Sequence, residues 1–195
     1  LMHTGVNAIM SGAKLIEWAN EMNLLNRSKS PTELDAMFDP PWTTVHVGMI
    51  EGGTAHNITA KDCLFGVDFR SVPSEDLTAW GGAYHAKARE VEAEMQAVHP
   101  ESYIEVKERF SVPALQQEPD GEAERMVRQL TGDNATHVVS YGTEAGQFQE
   151  RGYSAVICGP GNIAQAHQPN EYITKDQFAA GQAFMSRLLA NLSGA

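Results

Sequence analysis

Apolar residues recur at helical and strand spacings along the first half of the chain. An apolar face at helical spacing predicts a helix over residues 6–25, with Thr4 as its N-cap. Alternating residues over 44–50 and 62–70 predict two strands, and the Gly-Gly loop between them favours an antiparallel pair. A second helical stripe predicts a helix over about 75–98. The residues predicted to share one apolar face within each element are Val6, Ile9, Met10, Ala13 and Ile16, then Val45, Val47 and Met49, then Cys63, Phe65, Val67 and Phe69, and finally Leu77, Trp80, Tyr84, Ala88, Val91, Met95 and Val98.

A further strand is predicted over residues 102–110, which completes the order helix, strand, strand, helix, strand. This order is one strand short of the ferredoxin-like β-α-β-β-α-β unit. The strand that is lacking would be the first of the unit and would lie before Leu1, at the centre of the sheet. We therefore expect residues 1–112 to form an incomplete α+β domain, and we expect the chain to be part of a longer protein.

The pattern beyond residue 112 changes to short strands that alternate with helices. Helices are predicted over 121–131 and 175–192, and short apolar strands over 136–140 and 154–158. Strands and helices that alternate in this way are typical of an α/β layer. We therefore expect residues 113–195 to belong to a second, α/β domain.

The overall composition narrows the class of partner. The net charge of -11 argues against binding to nucleic acid, whose phosphates would be repelled. No apolar run approaches the roughly 20 residues that cross a bilayer, so no membrane partner is expected. Cys63 and Cys158 lie in separate apolar segments, and two such thiols favour a reducing, cytoplasmic location.

One histidine is placed like a metal ligand. His167 follows an apolar segment and a Gly-Pro-Gly loop, and Glu171 is near enough in sequence to orient it or a neighbouring ligand. A catalytic zinc needs about three protein ligands, and no motif elsewhere in the chain supplies the others, so we expect them upstream. An exposed loop histidine is the alternative. Six further histidines show no ligand spacing, namely His3, His46, His56, His85, His99 and His137.

Three other positions are candidates for contacts with a substrate. Backbone N–H groups at Gly142 and Thr143 precede a short helix and can hold a carboxylate or an oxyanion, or the turn is simply capped by Thr143. Arg70 can bind a carboxylate through two hydrogen bonds, or it can form a surface ion pair with Asp68. Asn57 can donate to a carbonyl oxygen or shape its turn.

Several runs together resemble one family. They are 5–9 (GVNAI), 38–45 (FDPPWTTV), 52–58 (GGTAHNI), 68–70 (DFR), 141–146 (YGTEAG), 158–161 (CGPG) and 166–173 (AHQPNEYI). The chain resembles the metal-dependent amidohydrolases, a family of deacetylases, desuccinylases, aminoacylases and carboxypeptidase G. The FDPP and HQPNEY runs are specific to the branch that acts on acetylornithine. In this family a lid, or dimerisation, domain is inserted into a zinc-peptidase-like catalytic domain.

The resemblance implies a domain plan and roles for the candidate residues. Residues 1–112 would be the lid without its first strand, and 113–195 the C-terminal part of the catalytic domain. His167 would be a ligand of a pair of zinc or cobalt ions. The lid residues Asn57 and Arg70 would contact the substrate, and the substrate-binding turn would hold Gly142 and Thr143. No catalytic residue is expected within the chain, because the general base and the other ligands would lie upstream of its first residue.

The activity implied by the resemblance is hydrolysis of the acetyl amide of N-acetylornithine to ornithine and acetate, a step of arginine biosynthesis. The complete enzyme would act on a small N-acyl amino acid, form a homodimer through the lid and work in the cytoplasm, while the present chain alone would be inactive. Two alternatives stay open. One is another amidohydrolase of the family, such as a succinyl-diaminopimelate desuccinylase or an acyl-amino-acid hydrolase. The other is a ferredoxin-like module that binds or dimerises without catalysis.

Overall fold

The computed structural model describes residues 4–194, which divide into two compact units. The first unit extends to Ser111 and includes Val138–Ser140. The second unit comprises Val112–His137 and the residues from Tyr141 onward. No helix among the described residues is long and apolar enough to cross a membrane.

Helix α1 (Ala8–Ser28) begins later than predicted. Its N-cap is Asn7, whose side-chain oxygen accepts a hydrogen bond from the backbone N–H of Met10 at 3.1 Å. Because an asparagine caps as well as a threonine does, the prediction of Thr4 as the cap was wrong by three residues.

The buried face of α1 is also not the predicted one. Leu15 and Trp18 face the core, whereas Met10 is 60% exposed. Both faces of this helix are apolar, so its spacing alone did not decide which of them packs. Gly12 lies close against β2, since an added Cβ there would be 3.1 Å from the ring of Phe65 and 3.2 Å from the sulfur of Cys63.

Strands β1 (Thr44–Gly52) and β2 (Cys63–Arg70) form the predicted antiparallel pair. The register shifts after Val47, because Gly48 is an extra residue in β1 without a partner on β2. Such a bulge turns the following side chains to the other face. Met49 is consequently 80% exposed, and the prediction that it lies on the same side as Val45 and Val47 was wrong.

Helix α2 (Leu77–Val98) confirms the second predicted stripe except at its last residue, Val98, which is 53% exposed. The N-cap of this helix is Asp76, whose carboxylate accepts a hydrogen bond from the backbone N–H of Thr78 at 2.8 Å. Its inward side chains pack with those of α1 and β1 into the core of the first unit. The buried members of this core are Leu15, Trp18, Ala19, Val45, Tyr84, Ala88, Val91 and Met95.

Residues 102–110 are extended but carry no strand pairing. Ile104 and Val106 do pack against the core as predicted, and the backbone N–H of Ile104 donates to the carboxylate of Glu92 at 2.8 Å. In the ferredoxin-like order, the neighbour of this segment is the central first strand. No such strand is present among the described residues. The segment therefore has the alternating burial of a strand but lacks the hydrogen bonds to a neighbouring strand.

A buried carboxylate joins the loop after α1 to the start of α2. Asp35 is 3% exposed, and its oxygens accept from the hydroxyl of Thr32 at 2.7 Å and from that of Ser74 at 2.5 Å. Burial opposes ionisation, but these hydrogen bonds together outweigh it, and the pKa of Asp35 lies below its ordinary value. The charge of Asp35 therefore stabilises the folded loop.

The second unit contains three helices in its described part, α3 (Glu122–Thr131), α4 (Ala145–Glu150) and α5 (Lys175–Ser193). Single 3-10 turns occur at Asp35–Met37 in the first unit and at Ile163–Gln165 in the second. The strands predicted over residues 136–140 and 154–158 are not paired, because the described residues provide no neighbouring strand for them.

Candidate functional site

Arg70 lies at the last position of β2, with its side chain exposed. Its Nε donates to Oδ2 of Asp68 at 2.9 Å, and the two side chains are 68% and 53% exposed. The surface ion pair considered from the sequence is therefore formed. It occupies only Nε, so the two terminal nitrogens have no acceptor within residues 4–194. The outer face of the guanidinium can still bind a carboxylate through two hydrogen bonds.

Arg70 faces an open groove of about 540 Å³ in the first unit. Three other ionisable side chains line the same groove, namely Arg27 from α1, His46 from β1 and Asp68 from β2, whose charge is paired with Arg70. The side chain of Arg27 is exposed and has no hydrogen-bond or ion-pair partner within the described part of the chain. The groove is therefore suited to an anionic ligand.

Sequence reasoning missed Arg27 and His46 as groove residues. His46 is directly opposite Asp68 in the strand register, so an alignment of the two predicted strands would have placed it beside the ion pair. Arg27 carries no such signal, because its position depends on which face of α1 packs against the sheet.

The amide of Asn23 closes part of the edge of β1. Its Nδ2 donates to the carbonyl of Val45 at 2.7 Å, and its Oδ1 accepts from the Val45 N–H at 2.9 Å. A side chain thus replaces a neighbouring strand at this point and fixes α1 against the groove.

Asn57 is exposed in the turn between β1 and β2. The turn is closed by a hydrogen bond from the N–H of Ile58 to the carbonyl of Ala55 at 3.1 Å, and the side chain of Asn57 takes no part in it. The amide is therefore available to a ligand, but at the opposite end of the hairpin from Arg70.

The loop that carries His167 is fixed to helix α5. The N–H of Gly161 donates to the side chain of Gln177 at 3.2 Å, and Pro160 packs on Gly181, where an added Cβ would be 3.0 Å from the proline ring. The side chain of Asn162 then caps the following 3-10 turn by accepting from the N–H of Ala164 at 2.9 Å.

His167 itself adopts a left-handed backbone conformation, with φ of 57°. Its backbone N–H donates to Oε2 of Glu171 at 2.9 Å. Glu171 was expected from the sequence to orient a ligand, and in the structure it contacts the backbone of His167, not the imidazole. The imidazole is exposed and has no hydrogen-bond partner among residues 4–194.

The donor type at this position suits a metal ion, because neutral imidazole is a common zinc ligand. However, no three His, Cys, Asp or Glu side chains approach one another closely enough to hold a metal in the described part of the chain. The described residues can therefore supply one ligand to a metal ion, namely His167. His3 is outside the described residues, and the other histidines do not assemble with His167.

The turn at Gly142 and Thr143 leads into α4. The hydroxyl of Thr143 accepts from the N–H of Ala145 at 3.2 Å, one residue before Glu144 at the N-cap position of this helix. Gly142 is exposed, and no atom lies within 4 Å of the place where its Cβ would be. A contact between this turn and a substrate stays a prediction.

Comparison with known proteins gives a family for part of the chain. Residues 2–96 match the model of the peptidase dimerisation domain. The chain is also similar to acetylornithine deacetylase of Myxococcus xanthus, with 30% identity over 191 residues, or 98% of this chain and 48% of the relative. The acetylornithine deacetylase of Salmonella arizonae is 31% identical over 175 residues, or 87% of this chain and 42% of the relative. The chain thus spans about half the length of the curated relatives it matches.

Proposed function

We propose that the chain is part of a metal-dependent amidohydrolase that deacetylates N-acetylornithine, a proposal that starts from the match of residues 2–96 to the peptidase dimerisation domain. The products would be ornithine and acetate. The observation that carries the proposal is the extent of the likeness, which covers 98% of the chain and thus includes the loop of His167 beyond the dimerisation domain.

The residues of this chain would bind and orient the substrate. The free face of Arg70 is suited to the substrate carboxylate, and the amide of Asn57 is suited to a carbonyl oxygen. The turn at Gly142 and Thr143 offers backbone N–H groups for a second polar contact. The imidazole of His167 would hold one metal ion.

A pair of zinc or cobalt ions, when bound, would polarise the amide carbonyl and lower the pKa of a water. We assign no general base to this chain. We propose that the base and the other metal ligands come from the part of the relatives' length that this chain does not span. A cytoplasmic location is part of the proposal, and the free thiols of Cys63 and Cys158 support it.

We propose that the first unit also forms a homodimer. The strand β1 is paired with β2 on one side only within residues 4–194, and its Met49 and Ile50 are 80% and 54% exposed. On α1, Ile9 and Met10 are 37% and 60% exposed. An apolar helix face and an open strand edge are suited to symmetric pairing.

The function is tested with the complete enzyme and purified substrate. Metal-dependent release of ornithine from N-acetylornithine is expected, and His167→Ala should bind about one metal equivalent fewer and lose nearly all turnover. His85→Ala, which removes another exposed histidine, is the matched control and should leave both properties unchanged. Full metal content and activity in His167→Ala would overturn the proposal. Metal binding without turnover on any acylated amino acid would favour the non-catalytic module instead.

One observation favours a second substrate. A succinyl group carries an additional carboxylate and needs an additional cation, and Arg27 lies in the same groove as Arg70 without a partner in the described part of the chain. A desuccinylase is therefore the alternative. A comparison of kcat/KM for N-acetylornithine and N-succinyl-diaminopimelate decides between them. Selective loss of the succinyl substrate in Arg27→Ala would show that Arg27 binds the second carboxylate.

A further inference from the structure

His167 adopts a backbone conformation that side chains with a Cβ disfavour. The positive φ of 57° places it in the left-handed region, where few residues other than glycine occur without support from their surroundings. Histidine is enriched there relative to most other residues, but a non-glycine residue in this region is still uncommon. A non-glycine residue held in this region at a candidate ligand position points to a functional constraint.

Glu171 provides the support for this conformation. Its Oε2 accepts the backbone N–H of His167 at 2.9 Å, and its own N–H donates to the carbonyl of Gln168 at 3.1 Å. The two hydrogen bonds close the turn from both ends. A carboxylate makes a stronger hydrogen bond to an N–H than a neutral acceptor does.

We propose that Glu171 is a positioning residue for the metal ligand His167, a role that rests on the function proposed above. It acts on the backbone of the histidine, and it leaves both ring nitrogens free. By keeping φ of His167 positive, it fixes the direction in which the Cα–Cβ bond presents the imidazole. Most residues that orient a ligating histidine bind its second ring nitrogen, so this turn uses a different contact for the same purpose.

The rest of the loop is arranged so that this one contact decides the direction of the ring. The preceding segment is already fixed by Gln177 and Gly181 of α5 and by the cap at Asn162. The loop can therefore change its course mainly between the 3-10 turn and Glu171. Loss of the Glu171 carboxylate would let His167 relax to an ordinary negative φ and turn its imidazole away.

The test uses four variants of the complete enzyme, Glu171→Ala, Glu171→Gln, His167→Ala and the control Glu150→Ala. Glu150 is an exposed carboxylate of the same unit, and its side chain has no hydrogen-bond partner among residues 4–194. The first readout is the dissociation constant of zinc in a metal titration. The second is hydrogen exchange of the His167 amide in metal-free protein with ¹⁵N-labelled histidine.

Glu171→Ala is expected to weaken zinc binding by about 10- to 100-fold, the usual effect of removing a residue that orients a ligand. It should also expose the His167 amide to exchange. Glu171→Gln keeps an acceptor oxygen but makes a weaker hydrogen bond, so it should lie between wild type and Glu171→Ala in both measurements, whereas Glu150→Ala should match wild type. If Glu171→Ala does not fold, Glu171→Asp replaces it, because the shorter carboxylate withdraws from the His167 N–H and should reduce its protection.

The outcomes separate this inference from the proposed function. If His167→Ala loses a metal equivalent while Glu171→Ala binds zinc as wild type does, the positioning role is overturned and the function stands. If Glu171→Gln is as damaging as Glu171→Ala, the charge of Glu171 matters instead of its contact with the N–H, which also overturns the role. If His167→Ala keeps its full metal content, the proposed function itself fails.

Discussion

Asn57 and Arg70 lie at opposite ends of the same β-hairpin. Asn57 is in the turn that precedes β2, and Arg70 is the last residue of that eight-residue strand. Seven steps along a strand correspond to about 23 Å. A substrate the size of one acylated amino acid extends over roughly 7 Å, the length of two residues of extended chain. One hairpin therefore cannot offer both side chains to the same substrate molecule.

In a homodimer, the two residues of one protomer would consequently serve two different active sites. We predict that a hybrid dimer of Asn57→Ala and Arg70→Ala protomers regains activity, because one of its two sites keeps both side chains while the other loses both. The expected activity is about half that of wild type. Each variant mixed with wild-type protein is the control. A hybrid as inactive as its parents would show that both residues serve one site.

Arg70→Ala is expected to raise KM and to lower kcat/KM in the complete enzyme. A hydrogen bond to a charged group contributes about 1.5–3 kcal/mol, which corresponds to roughly a ten- to hundredfold change. Arg109→Ala, at another exposed arginine of the first unit, is the matched control for loss of charge. Steady-state kinetics unchanged by Arg70→Ala would leave Arg70 with only its ion pair to Asp68.

The buried carboxylate of Asp35 makes the stability of the first unit depend on pH. Because the pKa of Asp35 is lower in the folded state than in the unfolded chain, its contribution is present above the ordinary pKa and is lost as the pH falls through the folded value. Asp35→Ala should lower the free energy of unfolding by about 1–3 kcal/mol at pH 7. Denaturant unfolding at several pH values should show this difference shrinking below pH ~4. A difference that does not change with pH would contradict the role of the charge, and Asp62→Ala at an exposed carboxylate is the control.

Two glycines of the YGTEAG run are expected to respond differently to alanine. A Cβ at Gly146 would overlap the carbonyl oxygen of Pro113, whereas a Cβ at Gly142 would meet no atom within 4 Å. Overpacking of this kind costs about 1–3 kcal/mol and exceeds the gain in helix propensity at Gly146. Thermal unfolding should therefore show a lower Tm for Gly146→Ala alone. Equal Tm values for both variants would mean that the Pro113 segment moves away without cost.

The 195-residue chain on its own is expected not to hydrolyse N-acetylornithine. Its described residues offer one candidate ligand and no group of three that would hold a metal, and a catalytic zinc needs about three protein ligands. An assay with added zinc should show no ornithine above background, with the complete enzyme as the positive control. Turnover by the purified chain would mean that it assembles its own site.

The sequence predicted the positions of helices and strands more reliably than it predicted which side of each is buried. The stripe of α2 was confirmed because only one side of that helix is apolar. The face of α1 was wrong because both of its sides are apolar. The prediction that Met49 shares a side with Val45 and Val47 was wrong because the bulge at Gly48 shifts the register, and alternation within one strand contains no information about its partner.

In the candidate site, too, some contacts could be predicted from the sequence and others could not. A contact between Glu171 and the segment of His167 was foreseeable, since four residues separate them in a turn. The identity of the contacting atoms was not foreseeable, because it depends on the left-handed φ of His167. Arg27 was not recognised at all, because the groove it lines joins segments that are distant in sequence.

The contact between Asn23 and Val45 limits how copies of this protein can join along β1. Since the amide occupies both backbone groups of Val45, an incoming strand can pair only with the stretch from Val47 to Gly52. For two identical antiparallel strands, the symmetry axis would then pass between Met49 and Ile50. The short accessible stretch permits one closed pair of protomers and disfavours the long, continuous edge on which fibrils grow. The side chain of Asn23 thereby shortens the strand edge that a second copy could extend.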